Sequence, residues 1–150
     1  MEYDALLKNL KGRGFLPQLL PDAAAARDAA LAIIGSRSVG FGGSATVRDI
    51  GLYEALAAQN NTLYWHWHAP TEDRIAVERA AQAAEVFVSS SNAVLTDGRI
   101  VNIDGTGNRV AGLIFGPPVV IGTRSWTVGW MRRSSASGAT AAPKMRAGWA

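Results

Sequence analysis

The sequence predicts an α/β fold, a three-layer open sheet that is mainly parallel and carries one antiparallel hairpin. Two observations carry that prediction. Short runs rich in Val, Ile and Phe alternate with alanine- and leucine-rich stretches of helical period through most of the chain. This is the pattern of strands linked by helical crossovers, with both sheet faces covered. In addition, Asp97-Gly98 lies between two β-rich runs, 93–96 and 99–103, and is a strong hairpin signal.

The elements follow in order. Residues 2–10 read as a helix with Leu6, Leu7 and Leu10 on one side, ended by Gly12 and Gly14. Pro21 opens a second helix, with Asp22 in its first turn and alanine through its body. Leu31, Ile33 and Ile34 give that helix an apolar face, and Gly35 fits the position just past its end. Residues 38–41 form a strand, Gly42-Gly43-Ser44 turns the chain, and 46–58 is helical with Val47, Ile50, Leu52 and Leu56 as core contacts. Asn60-Asn61 is a loop and 62–67 is strand-like. A helix starts at Ala69-Pro70-Thr71 and runs to about Ala84, with Thr71 as N-cap and Glu72 and Asp73 in the first turn. Residues 85–89 form an apolar strand that Ser90-Ser91-Asn92 breaks. After the hairpin come a helix over 107–115 and a strand over 119–121.

Composition narrows the function classes. A chain of 150 residues, 48% of them hydrophobic, is one globular domain with a full core. No run approaches the ~18 apolar residues of a membrane-spanning helix. The start, Met-Glu-Tyr-Asp, lacks an apolar signal core, so a cytoplasmic location is expected. The absence of cysteine excludes disulfides, thiolate catalysis and cysteine-held zinc or iron–sulfur centres. No cofactor and no metal are expected. The net charge of +3 belongs to the tail: residues 1–123 hold ten basic and twelve acidic side chains, whereas 124–150 hold five basic and no acidic ones. The body therefore gives no electrostatic case for nucleic acid, and neither nucleic acid nor membrane is an expected partner.

Three polar turns fall at strand ends, where open α/β sheets place their ligands. In Gly42-Gly43-Ser44 the glycines let backbone N–H groups approach an anion, although the spacing matches no nucleotide-binding loop. The alternative there is a tight turn with Ser44 or Thr46 as helix cap. Ser90-Ser91-Asn92 forms the second turn, with Ser91 and Asn92 as candidate ligand contacts and Asn92 either orienting a substrate oxygen or adopting a left-handed turn. The third turn, Asp104-Gly105-Thr106-Gly107-Asn108-Arg109, is the most informative. Its glycines leave the backbone accessible, and Arg109 suits a carboxylate or phosphate. The competing reading is a hydrogen-bonded turn in which Asp104, Asn108 and Arg109 staple strand to helix. Arg48-Asp49 reads as a solvated ion pair. In Trp65-His66-Trp67-His68 strand alternation puts the tryptophans on one face and the histidines on the other. With no third ligand in sight a metal site is disfavoured, but a histidine near the rim would serve as acid or base.

The stretches GFGGSATVRDIGLYEAL (40–56) and AEVFVSSSNAVLTDGRIVNIDGTGNRVAGLIFGP (84–117), with the following VVIG, resemble the LUD domain, the lactate-utilization family. The resemblance covers roughly residues 1–123. It implies the open α/β fold shared with sugar-phosphate isomerases and CoA transferases, with the ligand site at the strand ends. It also implies a link to L-lactate oxidation beside other lactate-utilization subunits. The expected ligand is an anionic small molecule, whether hydroxy acid, sugar phosphate or CoA ester, held by Gly42, Gly43, Ser44, Ser91, Asn92, Asp104, Gly105, Gly107, Asn108 and Arg109. No catalytic residue is assigned. The alternatives are a binding or regulatory module without chemistry, and a truncated product with no activity.

After Thr123 the resemblance stops. Residues 124–150 contain three of the five tryptophans, a Ser/Ala/Gly/Thr run at 134–142 and no helical or strand period, and are expected to be a disordered basic tail on an incomplete domain. Gly129-Trp130-Met131-Arg132 can be read from each third base as Leu-Asp-Glu. Extending that frame allows KLDGGLDEAIERIRRDSCPKNARRL, which resembles the helix and tail the family carries there. A frameshift is therefore expected near codon 124, with a natively divergent tail as the alternative. Sequencing codons 120–149 decides the point: bases that cannot encode this peptide in the shifted frame rule it out.

Overall fold

The computed structural model describes residues 2–124 and 128–133. The elements are α1 (Glu2–Gly12), β1 (Leu16–Leu19), α2 (Ala23–Ile34), β2 (Val39–Phe41), α3 (Ala45–Asp49), α4 (Leu52–Ala58), β3 (Leu63–Tyr64), α5 (Arg74–Gln82), β4 (Val86–Ser90), β5 (Ala93–Val94), β6 (Ile100–Val101), α6 (Asn108–Phe115), β7 (Val119–Arg124) and β8 (Val128–Arg133). Six strands form one sheet in the order β1-β8-β7-β4-β2-β3, and β5 pairs with β6 as the small antiparallel hairpin. In the main sheet β3, β2, β4 and β7 run parallel, while β8 is antiparallel to both its neighbours. The three-layer α/β architecture is thus present.

Strand alternation sends successive side chains to opposite faces. Val39, Phe41, Val86, Val88, Val119 and Ile121 pack with Ile34 of α2, Val47 of α3 and Leu52 and Leu56 of α4. Phe87 and Val120 pack on the other face with Ala81 of α5 and Leu113 of α6. Gly40 allows that second face to close, because a Cβ there would lie 2.1 Å from the Ala81 carbonyl oxygen. An open cleft of about 170 Å³ lies on the first face beside α2, lined by residues that include Leu16, Leu20, Ala26, Ile33, Ile121 and Met131.

Several expectations are corrected. Asp22 is the N-cap of α2, not a first-turn residue, and its carboxylate accepts from Ala25 N at 2.8 Å. The helix expected over 46–58 is two helices, since Gly51 adopts φ +68° and ends the first; its four expected core residues are all buried. The strand expected over 62–67 stops at Tyr64, and His66–His68 is a 3₁₀ turn. Thr71 begins a second such turn, Thr71–Asp73, and makes no side-chain cap bond. Two strands were not anticipated, β1 and β8. β7 runs on to Arg124, and Val128–Arg133 pairs with both β7 and β1, so the first part of the expected tail is sheet. Residues 134–150 lie outside the described residues.

Candidate functional site

Because β3, β2, β4 and β7 are parallel, the segments leaving their C-terminal ends share one edge of the sheet. These are Trp65 to His68, Gly42-Gly43-Ser44, Ser91-Asn92 and the end of β7 at Thr123 and Arg124. Register supports the alignment: Phe41 pairs with Val88, and Ser90 with Thr123. The turn at 104–109 joins them through Arg109.

Arg109 is 9% exposed. Its guanidinium donates from Nη1 to Ser90 O at 3.0 Å, and from Nη2 to Asn92 Oδ1 at 2.7 Å and to Ile103 O. Its aliphatic stem fills the space that a Cβ on Gly42 would need, where Arg109 Cγ would lie at 2.9 Å and Ser89 Oγ at 2.6 Å. One side chain therefore ties the end of β4, the exit of the hairpin and the turn after β2. Asn92 completes the tie, because its Oδ1 also accepts from Ile103 N at 2.8 Å.

Asp104 has a structural partner as well. Its Oδ2 accepts from Val110 N at 3.0 Å, at the start of α6. Burial pushes this carboxyl up, but the backbone N–H groups of Val110, Gly107, Arg109 and Thr106 outweigh it and hold the group below the usual carboxylate range. It acts as an anionic cap on α6. A depressed folded-state pKa stabilises at pH values above the ordinary aspartate value and loses that contribution as pH falls through the lowered one. Asp104→Ala is expected to cost about 1 kcal/mol at pH 7. The gap between wild type and variant should narrow below pH 4 in thermal melts; a gap that does not change with pH contradicts the cap.

The remaining expected site residues divide. Ser44 caps α3, accepting from Val47 N at 3.1 Å. Asn108 offers its carbonyl to Gln82 Nε2 at 2.8 Å, which locks α6 to α5. Gly43 lies under Trp67, with a Cβ position 3.4 Å from Trp67 Cζ2. Gly105 and Gly107 have open space where a Cβ would sit. Ser91 is buried, and its Oγ has no partner. The structure thus brings Gly42, Gly43, Ser91, Asn92 and Arg109 together. It shows Ser44, Asn92, Asp104, Asn108 and Arg109 holding the rim in shape.

Two groups on the rim were underrated in the sequence. Trp65 is buried and stacks on Phe41 at 5.0 Å and on Trp67 at 5.1 Å. Trp67 is 45% exposed, with the Arg48 guanidinium 5.9 Å from its ring centre. His66 is buried against Glu78 of α5. The 3₁₀ turn breaks the expected alternation, so the two histidines occupy different surroundings: His66 is buried, whereas His68 is exposed and stacks on Tyr53 at 3.9 Å. Among the described residues no group of three or more His, Asp or Glu is placed to hold a metal ion, and no helix is long and apolar enough to cross a membrane.

No curated protein and no solved structure matches this chain. The family model of the LUD domain matches residues 3–123, a span that contains every rim turn described above. The chain therefore belongs to the LUD domain family.

Proposed function

We propose that this LUD domain binds a small anionic molecule, a 2-hydroxy acid of the lactate type, at the strand-end rim. The observation that carries the reading is where the unpartnered polar atoms fall. Five buried side-chain polar atoms among the described residues lack a hydrogen bond: Asn61 Oδ1, Trp65 Nε1, His66 Nδ1, Ser91 Oγ and Asn102 Oδ1. Three of these five, on Trp65, His66 and Ser91, belong to the rim segments. Folded proteins pair nearly all buried polar groups, so a concentration at one edge marks a place built to meet a polar guest. A carboxylate there would meet N–H capacity left on the Arg109 fork, the Ser91 hydroxyl and the main chain at Gly43. The open loop at Gly105 and Gly107 gives access. On this reading the protein acts in the cytoplasm beside other lactate-utilization subunits.

The test is calorimetry of the full chain with L-lactate, a hexose 6-phosphate and acetyl-CoA, repeated on Ser91→Ala. Binding of L-lactate that weakens about tenfold in the variant, the worth of one hydrogen bond, supports the reading. Binding of only the phosphate or the thioester reassigns the ligand class. If all three leave no heat signal at millimolar concentration, the rim is not a site for this chemistry.

A further inference from the structure

The cleft on the first face is a space that close packing normally fills. Side chains in protein interiors reach crystal-like density, with few gaps larger than a water molecule. This cleft measures about 170 Å³ and lies between α2 and the β1-β8-β7-β4 part of the sheet. Apolar cavities of comparable volume take up small hydrocarbons.

Its shape follows from strand register and helical period. Leu16 pairs with Met131, Met131 with Ile121, and Ile121 with Val88, so these four side chains form one row across four strands. At the usual strand spacing that floor is about 14 Å long. Exposure falls along it, from 55% at Leu16 through 8% at Ile121 to 0% at Val88. The row is therefore open at the sheet edge and shut at its inner end, where Leu52 also lines the space. The roof is Ala26, Ala29, Ala30 and Ile33, which recur at helical spacing on one side of α2. Alanines over a row of larger side chains leave a long, shallow slot. Among the described residues its lining is aliphatic apart from Gln18 and Thr123. These two flank Gly129 in the neighbouring row, since Gly129 pairs with both. A Cβ on Gly129 would meet nothing nearer than the Gly122 carbonyl oxygen at 3.8 Å, so the gap between them is open. Gln18 is exposed, on the edge strand where the slot opens.

We propose that this cleft binds an unbranched aliphatic chain of medium length with a polar end group, the chemistry of a medium-chain fatty acid. The chain lies along the row from Leu16 to Val88 beneath the alanines of α2. The polar end stays in water at the sheet edge, beside the Gln18 amide. No covalent bond changes. The inference goes beyond the anion site proposed at the rim turns and does not depend on it. Residues 134–150 are the competing occupant. They continue from Arg133, which pairs with Val119 at the opposite end of β7 from Thr123. The large apolar side chains they offer are Met145 and Trp149.

Methyl resonances of the full chain labelled with [¹³C-methyl]methionine test the proposal, because Met131, one of three methionines, lines the cleft. Octanoate should shift the Met131 methyl saturably. From butanoate to octanoate affinity should rise about fourfold per added methylene, and it should stop rising once the slot is full. The branched isomer 2-propylpentanoate should bind more weakly than octanoate. Ala29→Leu fills the slot from the roof. It should weaken octanoate at least tenfold while leaving the melting temperature equal or higher. If that variant does not fold, Ala26→Leu serves in its place. Equal octanoate binding by wild type and the folded variant would overturn the proposal, as would equal binding of the two isomers. A Met131 methyl that no acid moves at millimolar concentration would overturn it too. A nuclear Overhauser contact between the Met131 and Met145 methyls in the ligand-free chain would give the cleft to the tail and overturn it as well.

Discussion

Alanine in place of Gly40 is expected to leave little folded protein. The added Cβ would sit 2.1 Å from the Ala81 carbonyl oxygen and 2.7 Å from its C and Cα. The obstacle is the main chain of α5, which no rotamer change can remove. Relief requires α5 to back away from β2, pulling Ala81 out of the cluster it forms with Phe87, Leu113 and Val120. Overpacking a core costs ~1–3 kcal/mol when side chains can adjust, and more when they cannot. About 3 kcal/mol or more is expected here, a large share of the 5–15 kcal/mol that holds a domain together. Gly43→Ala is the control, because its nearest neighbour is a Trp67 ring atom at 3.4 Å, and it should stay within about 0.5 kcal/mol of wild type. Urea midpoints compared at constant slope measure both. Equal midpoints for the two variants would mean that close approach of α5 is not what Gly40 provides.

The second large effect is at Arg109. Arg109→Met keeps much of the stem that fills the space beside Gly42 but removes the donor from Ser90 O, Asn92 Oδ1 and Ile103 O, of which Asn92 Oδ1 keeps its bond from Ile103 N. The acceptors are only partly buried, so each lost bond costs ~0.5–1.5 kcal/mol and a loss on the order of 2–3 kcal/mol is expected. Arg109→Lys should recover less than half of this, because an ammonium cannot reach three acceptors with a planar fork. Hydrogen exchange separates a local loss from a general one. The Ile103 amide, which donates to Asn92, should lose protection in Arg109→Met before the β4 and β7 amides do. Uniform loss across the sheet would show that the staple is not local to the rim.

The same residue shows how much of the site was legible in the sequence. A carboxylate, an amide and a guanidinium within residues 104–109 announce a place of consequence, but sequence spacing does not say whether they face a ligand or one another. The structure shows the two charged groups facing the protein, Arg109 to β4 and the hairpin exit and Asp104 to the start of α6, while Asn108 meets Gln82 through its backbone carbonyl. Buried charge needs partners, and the nearest partners are main-chain atoms whose positions depend on the tertiary fold. The strands β2, β4 and β7 were legible because apolar runs between turn signals survive any neighbour. β1 was not, because Leu16-Pro17-Gln18-Leu19 has a proline and two leucines that stay about half exposed at a sheet edge. β8 was not legible for a different reason: it lies between β7 and β1, and its strand character comes from those two partners rather than from its own pattern. His66 was underrated because a 3₁₀ turn replaced the strand whose alternation would have set its direction.

The place of β1 bears on how the chain reaches this arrangement. Among the described residues its sheet partner is β8, and Leu16 pairs with Met131, 115 positions later. Closing so long a loop is entropically costly and slow compared with local pairing. On a ribosome, Leu16–Leu19 emerges early and must wait for nearly the whole chain before its hydrogen-bonding partner exists. Until then its main-chain groups and the exposed Leu16 and Leu19 are open to other nascent chains. Any truncation before residue 128 makes that wait permanent.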